Sequence, residues 1–115
     1  MNEDLTVFEA ADAAAREGRA TVLATIVRCR GSVPRGVGSK MLVDPERGLT
    51  GTVGGGCGEA QVIEAAAEVL ATGLPAVLHI DLTEDLLSWS PAVCGGVFDV
   101  LLERVHPAPV AQPGA

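Results

Sequence analysis

The sequence predicts one α/β domain: a mixed β-sheet with two main helices packed on it and glycine-rich loops at the strand ends. Three observations carry that expectation. Two stretches of good helix formers, each closed by a glycine, alternate with short runs rich in β-branched residues. Three Gly-rich segments, 31–38, 54–58 and 94–96, fall between those runs. The 115 residues, 48% hydrophobic and 20% charged, suffice for one core and exclude a disordered or solvating chain. No internal repeat or second domain is visible, so the domain is expected over 1–105, with a flexible Pro-rich tail over 106–115.

Each element has its own signal. Thr6-x-x-Glu9 reads as a capping box, and Leu5, Phe8, Ala11 and Ala15 share one side of a helix expected over 5–17, ending at Gly18. Residues 20–29 are nearly all apolar and rich in β-branched side chains, which predicts a central strand buried on both faces. Residues 31–38 carry too much Gly and Pro for regular structure. Strands at 40–43 and 49–53 flank Asp44-Pro45-Glu46-Arg47-Gly48, a hairpin turn. A second helix follows over 59–72 and stops at Gly73. A fourth strand is expected at 76–80, a longer loop around Trp89 and Pro91 at 81–93, and a last strand at 97–105.

Composition narrows the function classes. No apolar run approaches the ~18 residues needed to cross a bilayer, and the acidic start Met1-Asn2-Glu3-Asp4 is unlike a basic leader, so a cytoplasmic location is expected. Three cysteines without CxxC spacing make no disulfide scaffold and are expected to be reduced. A net charge of −7, no tyrosine, and only Phe8, Phe98 and Trp89 as aromatics argue against nucleic acid. The charge is uneven: residues 28–47 hold Arg28, Arg30, Arg35, Lys40 and Arg47 against Asp44 and Glu46, which is +3 and leaves −10 elsewhere. Such an island is either a set of solvated strand ends or a site for one small anion such as a phosphate.

Two phosphate fingerprints fail. Gly31-x-x-x-x-Gly36 has the opening spacing of a P-loop, but Val37 stands where the lysine belongs. Gly54-x-Gly56 puts Glu59 at the last position of GxGxxG, where its side chain would crowd a pyrophosphate. A Gly-rich turn opening a helix still offers backbone N–H groups and a positive dipole end to an anion. Cys57 lies in that turn, where a thiol is either an activated nucleophile or soft ligand, or a small packing element. Cys94 is similarly flanked by Gly95 and Gly96, whereas Cys29, ending an apolar strand, reads as core. His79 reads as a satisfied polar residue in a strand, His106 as inert, and the Cys spacings do not suit zinc. Glu59 caps its helix or acts as an acid/base, Ser32 and Ser39 have no recognisable relay, and Trp89 is a lid or a core plug.

Taken in order, Gly31-Ser32-Val33-Pro34-Arg35, Gly38-x-Lys40-Met41, Gly51-x-Val53-x-Gly55-Gly56-Cys57-x-Glu59 and Cys94-Gly95-Gly96 resemble the motifs of the XdhC/CoxI family of molybdenum-hydroxylase accessory proteins. The resemblance covers residues 5–105. It implies a non-catalytic maturation chaperone that binds the molybdenum cofactor (molybdopterin), protects it during sulfuration and delivers it to a hydroxylase of the xanthine dehydrogenase or CO dehydrogenase type. A cysteine desulfurase is the implied second partner. By the same resemblance Arg35 and Lys40 contact phosphate or pterin, the 54–58 backbone, including Gly54, Gly55 and Gly56, forms an anion nest, and Ser32 is a further cofactor-binding residue. Cys57 is the thiol nearest molybdenum, and Glu59, Cys94, Gly95 and Gly96 complete the site. Many family members continue into a C-terminal Rossmann domain that is not in this sequence, and Gly58 stands where a larger apolar residue is usual. The rival readings are an enzyme with Cys57 as nucleophile or redox thiol, and an interaction subunit beside a separate Rossmann protein. An exposed sheet edge predicts a homo-oligomer, a dimer.

Overall fold

A computed structural model describes residues 3–33, 35–53, 58–83 and 96–107. The chain order is α1 (Glu3–Arg16), β1 (Thr21–Arg30), β2 (Lys40–Asp44), β3 (Gly48–Gly51), α2 (Glu59–Thr72), β4 (Ala76–Asp81) and β5 (Val97–Val105). The strands form one five-stranded sheet in the order β3-β2-β1-β5-β4, with a helix on each face. This is the single α/β domain with two helices that the sequence predicts. Every pairing is antiparallel, however, where a mixed sheet was expected. The reason is an insertion: β4 runs parallel to β1, but β5 lies between them and is antiparallel to both.

The main core lies under α2. Val62, Ala66 and Val69, at helical i, i+4, i+7 spacing, pack on Val22, Ala24 and Ile26 of β1 and Phe98, Val100 and Leu102 of β5. Gly73 ends α2 as expected, its N–H donating to the Val69 carbonyl at 2.8 Å. Arg104 of β5 closes the same end by donating from Nη1 to the Leu70 carbonyl at 3.1 Å, a cation at the negative pole of the helix.

On the opposite face, α1 covers only β1, β2 and β3. It begins at Glu3, two residues earlier than expected, so Thr6 and Glu9 lie inside the helix and do not cap it. Its inward stripe is Val7, Ala10, Ala11 and Ala14, while Leu5 and Phe8, expected inside, are about half exposed. A helix with alanine on several sides has little to fix its rotation, and Val7 settles against Leu42 of the sheet. Burial of β1 on both faces extends only over Thr21–Ile26, because α1 leaves the rest of this face open and Val27 is 45% exposed. Among the described residues no helix is long and apolar enough to cross a membrane.

Candidate functional site

The antiparallel topology settles where the Gly-rich segments attach. Segment 31–38 joins the end of β1 to the start of β2, segment 52–58 joins the end of β3 to α2, and segment 82–96 joins the end of β4 to the start of β5. In this sheet all of those ends lie on one rim. Gly54, Gly55, Gly56, Cys57, Cys94 and Gly95 lie outside the described residues, as do Pro34 and Trp89, but the residues flanking them define the rim closely.

Two glycines show how tightly the rim is drawn together. A Cβ on Gly96 would stand 2.7 Å from the carbonyl oxygens of Arg30 and Ser32, so the start of β5 presses directly on the backbone leaving β1. Gly58, at φ +84, precedes α2 and meets the side chains of Ile80 and Phe98, where a Cβ would approach Ile80 to 3.1 Å. The positive φ and the close approach of Ile80 both favour glycine at this position. Gly58 provides no side-chain cap, so the opening turn of α2 has none. Glu59 instead accepts a hydrogen bond from the Thr52 hydroxyl, tying the start of α2 to the residue after β3.

The basic island divides into two parts. Arg47 pairs with Glu17 at 2.9 Å, at the hairpin turn far from the rim. Lys40 donates from Nζ to the Gly38 carbonyl at 2.9 Å and sits 5.8 Å from the Phe8 ring centre, so part of its binding capacity holds the loop against α1. Arg35 is half-buried and Ser32 exposed. Arg28 and Arg30 lie on the open sheet face and are both exposed.

The sequence reading missed a cluster here. A bulge at Val27 shifts the β1–β5 register, placing Arg28 opposite Asp99 and Arg30 opposite Val97. His79 of β4 lies opposite Asp99 on its other side, with Nδ1 2.6 Å from Oδ1, while Arg28 Nη1 is 3.8 Å from Oδ2. Asp81, next along β4, accepts from the hydroxyl and the backbone N–H of Thr83, which hold its carboxyl below the usual range. A polar residue interrupting an otherwise apolar strand, His79 in one case and Asp99 in the other, was the signal in the sequence. Cys29 is half-buried against the main core, in keeping with a packing role, and is a free thiol. Among the described residues no group of three or more His, Cys, Asp or Glu could hold a metal ion.

A sequence profile of the XdhC and CoxI family matches residues 14–81. The chain belongs to that family. It is 35% identical over 105 residues to the molybdenum cofactor insertion chaperone PaoD of Escherichia coli, covering 90% of this chain and 32% of that protein. It is 33% identical over 96 residues to a probable xanthine dehydrogenase component of Bacillus subtilis, covering 82% of this chain and 29% of that one. A crystal structure of a xanthine dehydrogenase from Bacillus halodurans superposes with a TM-score of 0.72 at 34% identity, covering 91% of this chain and 31% of that one. The XdhC/CoxI domain thus spans about a third or less of each of these relatives.

Proposed function

We propose that this XdhC/CoxI domain is the cofactor-handling part of a maturation factor, binding the molybdenum cofactor for a hydroxylase of the xanthine dehydrogenase or CO dehydrogenase type. One observation carries the reading: in a family that includes a molybdenum cofactor insertion chaperone, the flanks of all three Gly-rich segments meet at a single rim. The residues there fit such a group, because the opening turn of α2 has no side-chain cap, which leaves its backbone N–H groups for an anion. Arg35, Lys40 and Ser32 would hold its phosphate or pterin, and Cys57 and Cys94 would offer soft sulfur to molybdenum, a chemistry the hydroxyls of the rim cannot supply. When bound, the cofactor would supply the sulfurated molybdenum centre that the client needs. The domain's own task is to hold it, exclude water and release it.

A cysteine desulfurase supplying that sulfur is the partner this reading requires. A second copy of the chain is a further one, since β4 is an edge strand with exposed Ala76, Val77 and His79 and no proline in its span. The deciding experiment is incubation of the purified protein with released molybdenum cofactor, followed by measurement of retained molybdenum and pterin. Stoichiometric retention without turnover is expected. Turnover or a covalent adduct at Cys57 would identify an enzyme, and no retention would leave an interaction subunit.

A further inference from the structure

The sheet face that α1 leaves open carries a cluster that the cofactor reading does not use. By register, Arg28, Asp99 and His79 lie side by side across β1, β5 and β4, and Arg30 lies two residues further along β1 on the same face. They border a cleft of about 280 Å³ whose walls include Cys29 and Val97. A carboxylate only accepts hydrogen bonds, so His79 donates from Nδ1 to Asp99 and keeps Nε2 directed away from it. Asp99 is thus shared between an imidazole at 2.6 Å and a guanidinium at 3.8 Å, and its single charge cannot satisfy two arginines.

The chemistry left over is that of an oxyanion site. Residues i and i+2 of a strand stand roughly 7 Å apart on one face, close enough for two guanidinium forks to converge on one tetrahedral group. A metal cation is disfavoured by the same two charges, and the cleft is too small for a dinucleotide. The Val27 bulge creates the arrangement: by unbroken alternation Val27 would face Asp99, and Arg28 would point into the core beneath α2.

We propose that this cleft binds a small phosphate monoester or inorganic phosphate, with Arg28 and Arg30 gripping the anion, Asp99 as the positioning residue, and the His79 ring, held by Asp99 through Nδ1, bordering the bound group. The inference does not rest on cofactor binding at the rim. It is tested by titrating the full chain, labelled with ¹⁵N, with inorganic phosphate at constant ionic strength set by chloride, while following the His79 ring and arginine side-chain signals. Saturable shifts are expected, with affinity falling about tenfold or more in Arg28→Gln/Arg30→Gln, since two charge-assisted contacts are lost from exposed positions. Asp99→Asn is expected to bind phosphate more tightly, because the competing charge is removed while an acceptor for His79 remains. A response that stays linear, that chloride reproduces, or that is unchanged in the double arginine variant overturns the proposal. Saturable phosphate binding here in a chain that retains no molybdenum cofactor upholds the site and removes the cofactor reading alone.

Discussion

Arg19 donates from Nη2 to Oδ2 of Asp44 at 2.9 Å, joining the turn after α1 to the end of β2. The same guanidinium reaches Glu17 at 2.6 Å, and Oδ1 of Asp44 accepts from the Glu46 N–H at 2.9 Å, so one buried carboxylate fixes both the helix exit and the hairpin turn. Burial alone would push the Asp44 carboxyl up. Its hydrogen bonds from Arg19 and from the Glu46 and Arg47 backbone outweigh that and hold it below the ordinary carboxylate range.

Asp44→Asn is accordingly expected to destabilise the fold by about 1–3 kcal/mol at neutral pH, by removing the charge-assisted contact. A depressed folded pKa means stability that is fully present above the unfolded value, about 4, and is lost as pH falls through the folded value. The difference between parent and variant in denaturant titrations should therefore shrink below about pH 4. A difference that is constant from pH 7 to pH 2 contradicts this.

Gly96→Ala and Gly36→Ala form a matched pair. The new methyl at Gly96 meets two backbone carbonyl oxygens at 2.7 Å, atoms that move only if β1 and β5 part, whereas at Gly36 nothing lies within 4 Å. Gly96→Ala is expected to cost about 1–3 kcal/mol and Gly36→Ala to be neutral or slightly stabilising. Chemical denaturation of the two variants checks both. Equal stabilities would mean that β5 does not press on the exit of β1.

The elements were legible because their signals are local. Helix α2 was read over the residues it occupies, since good helix formers run unbroken to Gly73, and β1 and β5 announced themselves by β-branched content. Pairing was not legible. Nothing local to Val97–Val105 says that it enters between β1 and β4, and that insertion makes the sheet antiparallel and gathers the Gly-rich segments at one rim. The Val27 bulge hides in a run of β-branched residues, so Arg28, His79 and Asp99, far apart in sequence, gave no common signal. The basic island was visible as charge, but its division into the Arg47–Glu17 pair, the Lys40–Gly38 contact and the two arginines at the cleft is a product of tertiary packing.

Val77→Lys tests self-pairing through β4. Val77 is 64% exposed on an edge strand, so the lysine should leave stability within about 0.5 kcal/mol of the parent. A charge on an open edge discourages strand addition. Sedimentation is expected to show a dimer for the parent and a monomer for the variant at micromolar concentration. A monomeric parent would refute pairing altogether, and a dimeric variant would place the contact elsewhere.

The three cysteines should separate by role. Cys57 directly precedes Gly58 in the sequence, and under the proposed function it is the thiol nearest molybdenum. Serine matches cysteine in size but offers a hard, protonated oxygen that cannot replace thiolate toward molybdenum or a persulfide. Cys57→Ser is therefore expected to fold like the parent and to retain much less molybdenum after incubation with released cofactor. Cys29 packs half-buried against the main core, so Cys29→Ser should lower stability more than retention, because the new hydroxyl needs a hydrogen-bond partner there. Retention lost in Cys94→Ser but intact in Cys57→Ser would exchange the roles of the two Gly-flanked thiols. Retention intact in both would leave the backbone of the rim as the only cofactor contact and remove sulfur from the mechanism.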